Sequence, residues 1–291
     1  MTCDPQLTAF LHQQFPATLE LLRQMVGMNS FSANQAGVNA LARFTAAQFA
    51  DLGFAAEYVP SFNPDLGDHL VLTRQGRGPR KLGMISHLDT VFPPEEEARN
   101  HFAWRPAGDR IYGPGTIDIK GGTAMMHLVL SAVREMSPQL FEDVTWVLLL
   151  NSSEEVFSPD FGKLCCARLA GGAAGLIFEC GAREGDAFTV VTSRKGRASF
   201  RCVVEGRGAH AGGDHERGAN AVVQLGEVVQ RIAALTDYAK ALTFNVGTIR
   251  GGTVVNRVPH QAVAEIEMRA FSSEAYQAGR AAILALNGPG S

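Results

Sequence analysis

The feature that most constrains the fold is a stretch at residues 144–150 that is apolar except for Thr145 and that follows a helix-like pattern at residues 120–136. A strand that is apolar along its whole length is typical of a sheet buried on both faces. Further strands are predicted at residues 81–87 and 174–179, with helical patterns between them. This alternation predicts an α/β fold, with an open, mostly parallel sheet and helices on both of its faces.

The remaining elements before residue 193 follow from hydrophobic periodicity and from turn residues. Asn34 is predicted to cap a helix, and residues 88–117 are predicted to be mostly loop. The other predicted elements are helices at residues 5–28 and 161–170 and strands at residues 54–59 and 69–74.

The composition changes near Arg194, after which apolar and polar residues alternate over residues 198–205. Such alternation predicts a strand with one buried face. A helix at residues 218–235, strands at 242–250 and 253–270, and a helix capped by Ser273 complete a β-α-β-β-α pattern. We therefore expect two domains, at residues 1–193 and 194–291.

Bulk properties exclude several classes of protein. The net charge of the 291-residue chain is −3 and it has no long basic run, which argues against nucleic acid or an anionic membrane as a partner. Its apolar runs are far shorter than the ~20 residues of a membrane span, and its first residues lack a signal-peptide pattern. Five cysteines without Cys-x-x-Cys spacing predict reduced thiols and a cytoplasmic location.

Chemically active side chains follow the predicted strands. His87 and Asp89 end the strand at residues 81–87, and side chains two positions apart on a strand point the same way. A carboxylate that binds one imidazole nitrogen leaves the other free for a metal ion. The alternative is a strand-end histidine satisfied by hydrogen bonds.

Carboxylates follow three more turns or strand ends. Asp118 lies in a Gly-rich turn and could bridge two cations or cap the next helix. Glu154 and Glu155 follow the strand at residues 144–150, where one could bind a metal ion and the other act as a base, or both could belong to a solvated loop. Glu179 closes an apolar strand and needs a cation partner, which a metal ion, Arg183 or Lys195 could supply. The four positions together predict a metal site.

Two residues of the second domain are candidates for substrate binding. His210 lies among small residues that permit close approach of a ligand or of another subunit, although a flexible hairpin tip has the same composition. Arg269 could bind a carboxylate through two parallel hydrogen bonds, or form an ion pair with Glu265 or Glu267.

Four motifs carry a resemblance to a known family. They are Ser-His-x-Asp-Thr-Val at residues 86–91, Gly-Pro-Gly-x-x-Asp-x-Lys-Gly-Gly at 113–122, Glu-Glu at 154–155, and the Gly-rich stretch around His210. The chain resembles the co-catalytic zinc hydrolases of metallopeptidase family twenty, which include glutamate carboxypeptidase, acetylornithine deacetylase, succinyl-diaminopimelate desuccinylase and aminoacylase. The Gly-Pro-Gly form looks most like the glutamate carboxypeptidase branch.

The resemblance implies a phosphorylase/hydrolase-like zinc exopeptidase domain and an α+β, ferredoxin-like lid that carries the contacts of a homodimer. It implies peptide or amide hydrolysis that releases an amino acid, with two Zn²⁺ ions per subunit, or Co²⁺ or Mn²⁺ in their place. It also implies a cis peptide bond at Asp118–Ile119. The implied roles are metal binding by His87, Asp118, Glu155 and Glu179, orientation of His87 by Asp89, general base catalysis by Glu154, and substrate binding by His210, Asn256 and Arg269.

The family has a last histidine ligand after the lid, and no histidine follows His260 in this sequence. We therefore expect a C-terminally truncated member of the family. The alternatives to a glutamate carboxypeptidase-like enzyme are an N-acyl-amino-acid deacylase of the acetylornithine deacetylase type and an inactive metal-binding or dimerisation fragment.

Overall fold

The computed structural model describes residues 4–156, 158–185 and 187–288, and the chain divides into two compact units, unit 1 (residues 1–188) and unit 2 (residues 189–291). Unit 1 contains, in order, α1 (Pro5–Val26), α2 (Gln35–Ala50), β1 (Ala55–Val59), β2 (His69–Arg74), β3 (Lys81–His87), α3 (Pro94–Asn100), β4 (Arg105–Ala107), β5 (Arg110–Tyr112), α4 (Lys120–Met136), α5 (Pro138–Asp143), β6 (Thr145–Asn151), α6 (Pro159–Arg168), β7 (Ala174–Ile177), β8 (Arg183–Glu184) and β9 (Ala187–Phe188). Unit 2 contains β10 (Gly196–Glu205), α7 (Ala221–Ala233), β11 (Thr243–Gly251), β12 (Gln261–Ala270) and α8 (Ser273–Leu284), with 3-10 turns at His215–Arg217 and Tyr238–Lys240.

The main sheet of unit 1 has the strand order β1-β2-β6-β3-β7. Strand β3 pairs in parallel with both β6 and β7, whereas β2 is antiparallel to both β1 and β6. Four of the five strands therefore run in one direction, which confirms the predicted mostly parallel sheet. His87 pairs with Asn151 at the ends of β3 and β6, so the polar segments that follow these strands begin at the same edge of the sheet.

Strand β6 is buried on both faces, which explains why residues 146–150 are all apolar. Trp146, Leu148 and Leu150 pack into a core that α1, α2 and α4 cover. Val147 and Leu149 point to the other face and pack against Phe161 of α6. Burial of one such side chain contributes about 1.5–3 kcal/mol, so helices on both faces stabilise this strand.

Unit 2 is a three-stranded antiparallel sheet of order β10-β12-β11 with helices on one face. The even-numbered residues of β12 from Ala262 to Ala270 are buried against α7 and α8, and Glu265, Glu267 and Arg269 lie on the opposite face. The predicted β-α-β-β-α pattern is confirmed.

The segment 88–117 is mostly outside helices and strands, as predicted, although it contains α3 and the β4–β5 hairpin. Two other local predictions needed correction. The last strand begins at Gln261 rather than at residue 253, because Pro259 has no N–H for the sheet and Gly252 has a φ of 77°. Ser272, not Ser273, caps α8, because its hydroxyl accepts a hydrogen bond from Ala275 N.

Among the described residues, no helix has both the length and the apolar character that a membrane-spanning segment requires.

Candidate metal centre

Three side chains from different parts of unit 1 converge at the carboxyl edge of the sheet. His87 ends β3, Asp118 lies in the turn before α4, and Glu179 follows β7. One ligand atom from each of them lies within 4.8 Å of the other two. His87 Nε2 is 2.9 Å from Asp118 Oδ1 and 3.8 Å from Glu179 Oε1. An imidazole nitrogen and two carboxylate oxygens around one point are a donor set that suits a divalent ion such as Zn²⁺.

The hydrogen bonds of His87 favour a cation between these groups. His87 is buried, and its Nδ1 donates to the backbone carbonyl of Asp89 at 3.0 Å. A neutral imidazole with its proton on Nδ1 turns the Nε2 lone pair toward two carboxylates. Only a proton or a metal ion at Nε2 relieves that repulsion, so the residues present fit a metal ion.

The electrostatics of His87 agree with this geometry. Burial alone would lower the pKa of His87, but the hydrogen bond and the negative charge of Asp89, together with Glu179 and Glu154, raise the pKa to about 9. The pocket around this imidazole therefore strongly favours positive charge.

The backbone packs closely around Asp118 and Glu179. The Asp118–Ile119 peptide bond is cis, as expected from the resemblance, and Ile119 rather than Asp118 is the N-cap of α4. The first turn of α4 packs so tightly on the segment after β7 that a methyl group on Gly122 would lie 2.2 Å from Phe178 O. Gly122 thus permits the approach that places Asp118 beside Glu179.

Asp89 contacts the loop that follows β6 as well as His87. Its Oδ1 lies 3.3 Å from His87 Nδ1 and accepts a hydrogen bond from Glu154 N at 2.9 Å. Its Oδ2 accepts from Glu155 N at 3.2 Å and from Ser32 Oγ at 2.6 Å. Asp89 therefore fixes the backbone of both glutamates relative to the imidazole.

The two glutamates differ in their surroundings. Glu154 is exposed, whereas Glu155 is half-buried. Burial and the neighbouring charge of Asp118 raise the pKa of Glu155. Glu155 thus lies near the three converging residues, although among the described residues the group within 4.8 Å consists of His87, Asp118 and Glu179.

Sequence reasoning missed several residues of this region. Ser32 has no motif that marks it as a partner of Asp89. Lys120 did carry a signal, since it belongs to the motif at residues 113–122. This lysine is buried, and its Nζ donates a hydrogen bond to Met28 O at 2.9 Å. Burial lowers the pKa of Lys120 to about 8. His69 and Asp160, which lie 3.1 Å apart, were also missed.

In unit 2 the structure brings His210 and Asn256 into neighbouring backbone positions, because Ala211 N donates to Asn256 O. His210 Nδ1 accepts hydrogen bonds from Gly212 N at 3.1 Å and from Gly213 N at 3.0 Å. Its other nitrogen, Nε2, must then carry the proton of the neutral ring and is available as a donor.

Arg269 lies on the uncovered face of β12, where its Nε donates to Glu267 Oε1 at 2.6 Å. The ion pair weighed from the sequence is therefore present.

Comparisons with known proteins agree with the fold and the motifs. Residues 192–286 match the family model of the peptidase dimerisation domain. The chain is 30% identical to carboxypeptidase G2 of Pseudomonas sp. (strain RS-16) over 90% of its own length and 62% of the relative's. It is 26% identical to acetylornithine deacetylase of Klebsiella pneumoniae (strain 342), over 85% of this chain and 66% of that protein. The chain thus spans just under two thirds of the length of these relatives.

Solved structures share the fold. The aminopeptidase PepT from Bacillus cereus aligns with a TM-score of 0.73 at 20% identity, over 92% of this chain and 70% of the other. The M20 family metallo-carboxypeptidase Sso-CP2 from Sulfolobus solfataricus aligns with a TM-score of 0.68 at 16% identity, over 94% and 76% of the two chains.

Proposed function

We propose that the chain is a member of the M20 peptidase family and that it hydrolyses a peptide or amide bond and releases an amino acid, with the help of a divalent metal ion. The observation that carries the proposal is the convergence of His87, Asp118 and Glu179 beside the Glu154–Glu155 pair. Asp89 joins these two groups through His87 Nδ1 and the backbone N–H groups of both glutamates.

We propose His87, Asp118 and Glu179 as the ligands of one ion, and Asp118 with Glu155 as ligands of a second. Zn²⁺ suits the mixed nitrogen and oxygen donors, and Co²⁺ or Mn²⁺ are alternatives. When bound, such ions lower the pKa of a coordinated water and polarise the carbonyl group of a substrate.

The protein's own residues would carry out the proton transfers. Glu154 is exposed at the site and is the proposed general base. Its carboxylate takes a proton from the attacking water while the oxygen of that water bonds to the carbonyl carbon. As the carbon–nitrogen bond breaks, Glu154 passes the proton to the leaving amine. Asp89 keeps the backbone of Glu154 in place during both transfers.

The residues of unit 2 have proposed roles in substrate binding. The Nε2–H of His210 would donate to the carbonyl oxygen as it gains negative charge, from a second subunit as the family resemblance implies. Asn256 and Arg269 would bind the substrate, Arg269 through a free carboxylate after exchanging its contact with Glu267. The match to a peptidase dimerisation domain supports a homodimer formed through unit 2.

The substrate proposed first is a peptide or acyl compound that ends in glutamate, because the Gly-Pro-Gly form of the motif at residues 113–122 resembles the glutamate carboxypeptidase branch, and the 30% identity to carboxypeptidase G2 agrees with a carboxypeptidase. An N-acyl-amino-acid deacylase is the second candidate, supported by the acetylornithine deacetylases at 26% identity. A cytoplasmic location is proposed as well, because the four cysteines among the described residues are free thiols.

Hydrolysis assays separate these candidates. The purified chain would be loaded with Zn²⁺ or Co²⁺ and given a dipeptide with C-terminal glutamate or an N-acetyl amino acid. Release of glutamate at the higher kcat/KM supports the carboxypeptidase proposal, and faster deacetylation supports the second candidate. If the metal-loaded chain cleaves neither substrate, the proposed function is wrong, and the chain is a metal-binding or dimerisation fragment.

A further inference from the structure

A buried histidine outside the metal centre joins the two ends of the loop that carries Glu154. We define the Glu154 loop as residues 152–156 and 158, which connect β6 to α6, together with Pro159 and Asp160 in the first turn of α6. His69, the first residue of β2, is 1% exposed. Its Nδ1 accepts from Ser152 N at 3.1 Å, and its Nε2 lies 3.1 Å from Asp160 Oδ2. One imidazole ring therefore contacts both the beginning and the end of the loop.

The protonation of this ring follows from its neighbours. Because Ser152 N–H points at Nδ1, that nitrogen accepts and cannot hold the proton of a neutral imidazole. The proton lies on Nε2 and is donated to the carboxylate of Asp160. Phe161 packs against the ring with centroids 5.2 Å apart. The His69 side chain is buried, whereas that of Asp160 is 25% exposed, so loss of Asp160 leaves the buried Nε2–H of His69 without its acceptor.

Further contacts make the end of the loop rigid. Asp160 Oδ2 also accepts from Phe62 N at 2.7 Å, and its Oδ1 lies 3.2 Å from Ser158 Oγ. Ser158 Oγ in turn lies 3.1 Å from Asn151 Oδ1, at the end of β6. The middle of the loop is held separately, by the bonds from Glu154 N and Glu155 N to Asp89.

We propose that His69 and Asp160 are positioning residues, which hold the two ends of the Glu154 loop so that Glu154 and Glu155 stay beside His87 and Asp118. The inference rests on the proposed function, since it assigns Glu154 a part in the reaction. A shift of about 1 Å in a reacting group costs on the order of 10²-fold in rate, so a pair that fixes the loop affects kcat without touching the substrate.

The test is carried out in the full chain. It compares two substitutions of Asp160 with a control substitution in an ion pair at the other end of β2. Asp160→Ala removes the acceptor for His69 and is expected to lower kcat about 10- to 100-fold, with KM within about twofold of wild type. Asp160→Asn keeps an oxygen that can accept from His69 Nε2 and Phe62 N, and is expected to restore kcat to within about threefold of wild type. Glu142→Ala breaks the pair with Arg74, the last residue of β2, and serves as the control with unchanged kcat.

Amide hydrogen exchange gives a readout that does not depend on turnover. In Asp160→Ala the amides of Ser152, Glu154 and Glu155 should exchange faster, while the amides of β6 and all amides in Asp160→Asn should keep the wild-type rates. If Asp160→Ala does not fold, His69→Asn replaces it, because its amide oxygen can still accept from Ser152 N while the contact with Asp160 is lost.

Wild-type kcat together with wild-type exchange in Asp160→Ala would overturn the inference. An equal loss of kcat in Asp160→Ala and Glu142→Ala would also overturn it, because the effect would then be one of general stability. A wild-type chain without hydrolysis refutes the proposed function, and the exchange rates still decide whether His69 and Asp160 fix the loop.

Discussion

The carboxylate of Asp89 accepts a hydrogen bond from the backbone N–H of Glu154 at 2.9 Å. Its other oxygen accepts from Glu155 N at 3.2 Å. The segment after β3 is thereby held against the loop after the neighbouring strand β6, which places the backbone of both glutamates beside the imidazole of His87. An acceptor-only side chain is required here, because both partners are donors.

Asp89→Asn tests this requirement. The amide presents one NH₂ group, so whichever way it turns, the N–H of Glu154 or of Glu155 faces another donor. We expect a loss of about 1–3 kcal/mol in the free energy of unfolding, measured by urea denaturation. Turnover should fall on the order of 10²-fold, because the loop shifts relative to His87. Asp109→Asn, in the exposed turn between β4 and β5, is the control and should change neither quantity.

Glu154→Gln separates catalysis from metal binding. The substitution removes the proposed base but keeps the backbone N–H that binds Asp89, and it leaves His87, Asp118 and Glu179 unchanged. We expect kcat to fall about 10²- to 10⁴-fold, with the metal content, measured by atomic emission, equal to that of the wild type.

The matched control for this substitution is Glu95→Gln, in the exposed first turn of α3. It removes the same charge without approaching the site and should keep the wild-type rate. Retention of the wild-type rate in Glu154→Gln would refute the assignment of Glu154 as the base.

Much of this site could be predicted because its residues stand at the ends of apolar strands. The lengths of the apolar stretches fix where β3, β6 and β7 end, and parallel strands place those ends at one edge. His87, Glu154 and Glu179 could be placed in this way, and Asp118 through the glycines around it. Helix α3 also carried a signal, with Pro94 and three glutamates in its first turn, although no helix was predicted within residues 88–117.

The contacts that hold the site could not be predicted. Ser32 binds Asp89 from 57 residues away, and His69 binds Asp160 from 91 residues away. Such pairs are brought together by packing of the sheet and helices, and neither partner repeats with the period of a helix or strand. Both glutamates are held through their N–H groups, which every residue except proline has, so the side-chain pattern contains no trace of that contact.

Gly122→Ala tests the close packing of α4 on the segment after β7. The new methyl group would lie 2.2 Å from Phe178 O, so the helix or the segment must move and Asp118 must separate from Glu179. We expect weaker metal binding, by at least about tenfold in Kd measured by isothermal titration calorimetry, together with a lower Tm.

Gly162→Ala is the matched control, a glycine of α6 whose added methyl group meets no atom of the described residues within 4 Å. This substitution should leave the Kd unchanged and raise stability by about 0.5–1 kcal/mol, because alanine favours a helix more than glycine does. Equal metal binding by the two variants would contradict the proposed role of the packing at Gly122.

The pH dependence of stability tests the environment of Asp160. Burial raises the pKa of this carboxyl group, but the hydrogen bonds from Phe62 N and His69 outweigh burial and lower the pKa from 3.8 to about 2. A carboxyl group whose pKa is lower in the folded protein stabilises the fold above its unfolded pKa, and this contribution is lost as the pH falls toward the folded value. His69 is the titratable group that faces Asp160, across 3.1 Å.

The difference in unfolding free energy between wild type and Asp160→Asn should therefore be constant above about pH 5 and shrink between about pH 4 and pH 2. Urea denaturation of both proteins at intervals over this range measures the difference, and a gap that stays constant or widens below pH 4 would show that the carboxylate is not stabilised by these contacts.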